Sequence, residues 1–161
     1  MKRMFSFRYL TVVAVIAAMT LLCVVVYGEF VSPGASSDVS RSDQNARTIR
    51  VADRDISAVV VDTPESREKG LSGNPGLKSD EGMLFVFPED DFHSFWMKDM
   101  RFSIDIVWLS ADGVVVDIAE NVSPSTYPRS FVSELPARYV LELPAGFVKT
   151  HGLKESDIVG L

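Results

Sequence analysis

Past residue 47, apolar positions recur with a period of two, or in short unbroken runs bounded by Gly, Pro and Asp, which is the pattern of β-strands. Residues 48–52 and 56–62 are β-branched runs separated by Asp53-Arg54-Asp55, predicting a hairpin or a bulged continuous strand. Thr63-Pro64 opens a short helix, with Thr63 suited to the N-cap and Pro64 to the first helical position, and Gly70 closes it. Residues 83–87 form an apolar run ended by Pro88, and residues 92–97 and 102–109 read as further strands. In the last of these, Phe102, Ile104, Ile106 and Trp108 share one face. Ala111-Asp112-Gly113 turns the chain into residues 114–119 as a hairpin. Residues 123–129 read as a Pro-containing loop, 139–143 as a strand cut by Pro144, and 157–161 as a short final strand. About seven or eight short strands with one short helix predict an all-β fold, a compact antiparallel barrel or sandwich.

The first residues follow a different pattern. Residues 9–28 form an uncharged apolar run preceded by Lys2, Arg3 and Arg8. Roughly 20 apolar residues span a bilayer as a helix. Positive charges on the near side place that end in the cytoplasm. The expectation is a single N-terminal membrane helix through residues 10–27, with the remainder exported. The run exceeds the roughly 7–15 residues of a cleavable signal core, which favours a retained anchor. Val26-Tyr27-Gly28 also offers a cleavage site, and cleavage would make the domain secreted. The organisation read from the chain is a membrane anchor or signal segment at 1–28, a disordered Ser-, Gly- and Asp-rich linker at 29–47, and an exported β domain at 48–161.

Charge and cysteine content narrow the function classes. The chain holds 22 Asp and Glu against 16 Lys and Arg, a formal net charge of −6. Three of those cations precede the apolar run, so the remainder is more acidic still. Such a surface repels phosphate backbones, and no nucleic-acid partner is expected. The only cysteine, Cys23, lies in the apolar run, so the domain has no disulfide, thiolate zinc site or Cys nucleophile. No cofactor is expected. About 110 residues suffice for one hydrophobic core.

The blocks TPESREKGL, GMLFVF, FWMKDM, IDIVWL, the ADG turn and YVLELPAGF occur in that order between residues 56 and 159. They resemble the domain of unknown function 192 family, also called the uncharacterised protein family 0127. The resemblance implies a small, exported or membrane-anchored β-rich domain and carries no established activity. Three positions depart from the family pattern. Asp99-Met100 stands where Asn-Thr is common, Ser103 where Pro is common, and Ser156 where Gly is common. The first of these removes an amide from the centre of the FWMKDM block.

Candidate chemistry concentrates in residues 82–109, where Phe85, Phe87, Phe92, Phe95, Phe102 and both Trp surround Lys98, Asp99 and Asp105. Strand alternation places Ser103 and Asp105 opposite Phe102, Ile104 and Ile106, and Glu142 opposite Tyr139, Leu141 and Leu143. If the two strands approach each other, Asp105, Glu142 and Lys98 form a cluster with Arg67 from the helix as a fourth member. Two carboxylates driven to different pKa values could do acid–base chemistry. An ion-pair network fixing strand register is the plainer outcome. His93, Met97 and Met100 are weak candidates for a soft-metal site, since imidazole and thioether suit Cu(I). Core packing accounts for the same methionines, and no metal is expected. The acidic run Glu89-Asp90-Asp91 lacks a calcium-loop pattern, and Ser72 lacks a nucleophile elbow.

Together these features predict a membrane-tethered binding module for a small molecule, an envelope polymer or a protein. Trp96 and its polar neighbours Arg67, Lys98, Asp99, Asp105 and Glu142 would form the recognition surface. The alternatives are a cell-envelope enzyme using Asp105 or Glu142 as acid or base, and a structural or assembly component.

Overall fold

The computed structural model describes residues 45–161. The expected membrane segment at 1–28 and nearly all of the linker lie outside the described residues. No helix among the described residues is long and apolar enough to cross a membrane.

Eight strands and two short helices make up the described fold. β1 (Ala46–Val51) and β2 (Arg54–Val61) form a hairpin, the first of the two arrangements their pattern allowed, in antiparallel register from Ala46 opposite Val59 to Val51 opposite Arg54. α1 (Pro64–Lys69) follows. Thr63 caps it as its residue pattern predicts, its hydroxyl accepting from the Ser66 N–H while the Ser66 hydroxyl accepts from the Thr63 N–H. The long strand β3 (Glu81–Asp91) comes next, then the two-residue β4 (Phe95–Trp96) and the central β5 (Ile104–Leu109). β6 (Val115–Val122), β7 (Ser130–Phe131), β8 (Ala137–Pro144) and the five-residue α2 (Phe147–His151) complete the order.

Six strands form one sheet in the order β1-β2-β3-β8-β5-β6, and β4 pairs with β7 in a separate two-stranded ribbon. Two parts of the expected architecture need correction. The sheet is mixed: β2 and β3 are parallel, because α1 lies in the crossover between them and returns the chain in the same direction. The sheet also stays open and is not a closed barrel. Its two ends are joined only by isolated bridges through the C-terminal segment, between Arg50 and Gly160 and between Val114 and Ile158. Gly113 makes that junction possible. Its φ is +77°, and a Cβ there would lie 2.6 Å from the Val159 carbonyl oxygen.

β5 is buried along its whole length, against the expectation of one apolar and one polar face. Val107 and Leu109 enter a core with Ile49, Leu84, Leu141 and Leu143. Ile104, Ile106 and Trp108 enter a second core with Phe85, Phe95 and Met97 on the other side. α2 and the C-terminal segment cover the first face, through Phe147, Val148 and Val159. The β4–β7 ribbon and the loop after α1, which contributes Leu71, cover the second.

Asp105 is fully buried among these residues and is a structural clasp. Its Oδ1 accepts hydrogen bonds from the Asn121 N–H at 2.8 Å and the Gly146 N–H at 3.1 Å. Its Oδ2 accepts from the Val148 N–H at 2.9 Å, which ties α2 to the sheet. A carboxylate serves three backbone donors that no neighbouring apolar side chain could satisfy. Asp105→Asn presents an amide N–H to one of those donors. It should therefore lower the unfolding free energy by about 2 kcal/mol or more, read from urea denaturation midpoints at constant slope.

Candidate functional site

The second core opens to solvent through a cavity of about 280 Å³. α1 and its following loop supply one wall, with Arg67, Leu71 and Ser72. β3 supplies Phe85 and Phe87, and the β4 segment supplies His93, Phe95 and Trp96. Glu142 of β8 lies at the base, and Met100 also contributes.

The local sequence explains this shape. β3 runs through Pro88 instead of ending there, but its ladder with β8 is interrupted between Val86 and Asp91. Proline cannot donate to a ladder and is tolerated at such an irregularity. Phe87, inside the interruption, stacks on His93 with ring centroids 3.5 Å apart and planes 10° apart. Phe95 meets Phe85 edge-on at 4.8 Å and Trp108 edge-on at 6.2 Å, which fixes the inner wall. The expected strand at 92–97 contracts to Phe95 and Trp96, which pair with Phe131 and Ser130 of β7. Trp96 is 53% exposed at the mouth, with Tyr127 edge-on at 6.1 Å and the Lys98 ammonium 5.9 Å from its ring.

Three polar side chains define the electrostatics. Arg67 lies over the Phe87 ring at 5.0 Å, and one of its terminal nitrogens donates to the backbone carbonyls of Asp62 and Val86. Nε2 of His93 is buried without a hydrogen-bond partner. Burial holds the ring below its ordinary pKa and so neutral at pH 7, outweighing nearby backbone groups and the Asp91 charge. Glu142 is 5% exposed, and its Oε2 likewise has no hydrogen-bond partner. Burial alone pushes its carboxyl up to about 8. At neutral pH it is a protonated, hydrogen-bond-capable group beside a cavity.

The four-membered cluster expected from strand alternation does not assemble. β5 and β8 are indeed neighbours, but Asp105 pairs with Leu143 and Glu142 with Ile106. Successive residues point to opposite faces, so the two carboxyls are directed to opposite sides of the sheet. Arg67, Trp96 and Glu142 do line one cavity. Lys98 and Asp99 instead border a shallower groove beside α1, with Glu65, Glu68 and Lys69. Backbone bonds hold that turn: the Lys98 carbonyl accepts from the Ser72 hydroxyl and the Asp99 carbonyl from the Gly73 N–H. Of the weak metal candidates, His93 and Met100 reach the cavity, whereas Met97 is buried in the core. No group of three or more His, Cys, Asp or Glu able to hold a metal occurs among the described residues.

Phe87 and Tyr127 were not anticipated as site residues, and His93 was weighed only as a weak metal candidate and not as the stacking partner of Phe87. Phe87 and His93 carried a signal, since an aromatic and a histidine flank the Pro88 break. Tyr127 carried none, because its placement depends on the loop before β7.

No curated protein matches this chain. Two solved structures do. A protein of unknown function from Novosphingobium aromaticivorans is 26% identical with a TM-score of 0.69, over 72% of this chain and 85% of its own. A Sinorhizobium meliloti protein described as a candidate transcription regulator is 34% identical with a TM-score of 0.64, over 71% of this chain and 89% of its own. The sequence pattern of the domain of unknown function 192 family, described as an uncharacterized ACR, matches residues 47–161, and the chain belongs to that family.

Proposed function

We propose that this domain is a binding module for a small molecule, or for one ring-sized unit of an envelope polymer or protein, held outside the membrane by its N-terminal segment. The observation that carries this reading is the half-exposed Trp96 at the mouth of an aromatic cavity based on the unpartnered Glu142. Ligand sites characteristically combine apolar walls with a few polar groups that fix orientation, over about 300–1,000 Å³. At about 280 Å³ this cavity falls just below that range, which suits a single ring. Asp105 and Glu142 cannot act on one substrate from opposite faces, so the paired acid–base reading loses its geometric support. The acidic excess weighs against carrying over the nucleic-acid role that the Sinorhizobium description suggests.

An unpartnered buried carboxyl should also weaken the fold in a pH-dependent way. Glu142 ionises near 4.5 when exposed in the unfolded chain but only at about 8 when folded. Between those values the folded state holds the extra proton, so this contribution to stability is complete below the lower value and is lost as pH rises through the upper one. His93 has the opposite sign, and its contribution fades only as pH falls below 6.5. The clean window for Glu142 therefore lies above 6.5.

Two outcomes are expected. In thermal-shift and tryptophan-fluorescence screens of sugars, amino sugars, aromatic acids, amines and short peptides, at least one compound should raise the melting temperature of the protein. Trp96→Ala should weaken that compound more than tenfold, about 1.4 kcal/mol or more, while changing stability far less. A screen whose every hit is indifferent to Trp96 would remove this reading. In urea unfolding, wild-type stability should fall by about 1 kcal/mol per pH unit between about pH 6.5 and 7.5, and Glu142→Gln should abolish that slope.

A further inference from the structure

The cavity under Trp96 has a hydrogen-bonding base with no protein partner. Glu142 is 5% exposed, its Oε2 is buried and without a hydrogen-bond partner, and burial raises its carboxyl well above the ordinary range. Ionised carboxylates removed from water need a partner of opposite charge. The walls around it are Phe85, Phe87, Phe95 and Trp96, and aromatic faces attract cations through their negative ring potential.

The charged groups facing the cavity are few. α1 contributes Arg67, Glu68 and Lys69, and the segment before β4 contributes the neutral His93. The flanking strands place Met83 of β3 and Ile106 of β5 beside Glu142, neither of them charged. Arg67 is committed elsewhere, to the Asp62 and Val86 carbonyls and the Phe87 face. Glu68 and Lys69 are exposed and of opposite sign. The protein's net charge of −6 draws cations toward it at long range.

We infer that the cavity is a site for a small organic ammonium ion, its nitrogen set against the Glu142 carboxylate and its carbon skeleton packed among Phe85, Phe87, Phe95 and Trp96. This assignment rests on the small-molecule reading above and adds the charge class of the ligand. An ammonium supplies both the partner that the buried oxygen lacks and the positive charge that the aromatic faces favour. A second anion would be repelled, and a neutral ligand would leave the carboxyl protonated. Binding at neutral pH therefore exchanges one cation for another: the ammonium enters and the Glu142 proton leaves to solvent. No covalent bond changes other than that O–H.

The test is isothermal titration of the full chain in detergent with phenethylammonium and its neutral near-isostere 2-phenylethanol. Affinity for the ammonium should rise close to tenfold from about pH 6.5 to about pH 7.5. Close to one proton should be released per ligand bound, read from the dependence of the enthalpy on the ionisation enthalpy of the buffer. The alcohol should bind at least tenfold more weakly at about pH 8, with no such rise. Glu142→Gln keeps the shape of the protonated side chain and should remove both the pH dependence and the preference. Equal or tighter binding of the alcohol, an ammonium affinity unchanged across this range, or no binding of either probe would overturn the assignment. In each of those cases a Trp96-dependent hit elsewhere in the compound screen would leave the small-molecule reading standing. A screen without such a hit would remove both.

Discussion

Antiparallel pairing of β5 with β8 sets Ile106 opposite Glu142 and Asp105 opposite Leu143. Because side chains alternate across a strand, that register commits two buried carboxyls to opposite faces of one sheet. Both strands are central and both faces are largely covered, so Asp105 is closed off from water and Glu142 meets it only through the cavity. Each must find its hydrogen bonds within the protein or its cavity, or go without. The register thereby separates a group that maintains the fold from a group free to do something else.

The two faces resolve this constraint differently. On the first, α2 and the β6 end bring three backbone N–H donors to Asp105, and a buried charge is fully served. On the second, Phe85, Phe95 and Met97 surround Glu142's side of the sheet with apolar surface, and no donor reaches Oε2. An orphaned buried polar atom costs about 1–3 kcal/mol that an apolar residue would not. Strongly perturbed carboxyls beside cavities are characteristic of functional sites, where stability is given up for chemistry or recognition. The open Trp96 and the interrupted β3–β8 ladder converge on the same place.

Local signals made much of this fold legible. Asp53-Arg54-Asp55 between β-branched runs gave the β1–β2 hairpin, Thr63-Pro64 the capped start of α1, and Ala111-Asp112-Gly113 the β5–β6 turn. Long-range consequences were harder to read. The parallel β2–β3 pair follows from the crossover through α1, a matter of topology and not of pattern. α2 has five residues, too few to show a helical period. Trp96 could be singled out from the FWMKDM block, and alternation correctly set Glu142 opposite Leu141 and Leu143. That Asp105 and Glu142 fall on opposite faces was not legible, because the unbroken apolar runs around IDIVWL and VLEL reflect burial on both sides. Two departures from the family pattern also acquire a physical meaning. Asp99 and Ser156 adopt φ of +56° and +72°, where asparagine and glycine respectively sit more easily than most residues. Asp99 thus meets the same backbone demand as the asparagine that the family resemblance leads one to expect there.

The most direct test of this account is the ionisation of Glu142 itself, followed by the side-chain carboxyl ¹³C shift in a pH titration monitored by NMR. The account requires a midpoint at about 8, set by burial without a partner. A midpoint in the ordinary carboxyl range near 4.5 would mean that the group is solvated or paired, and would contradict it.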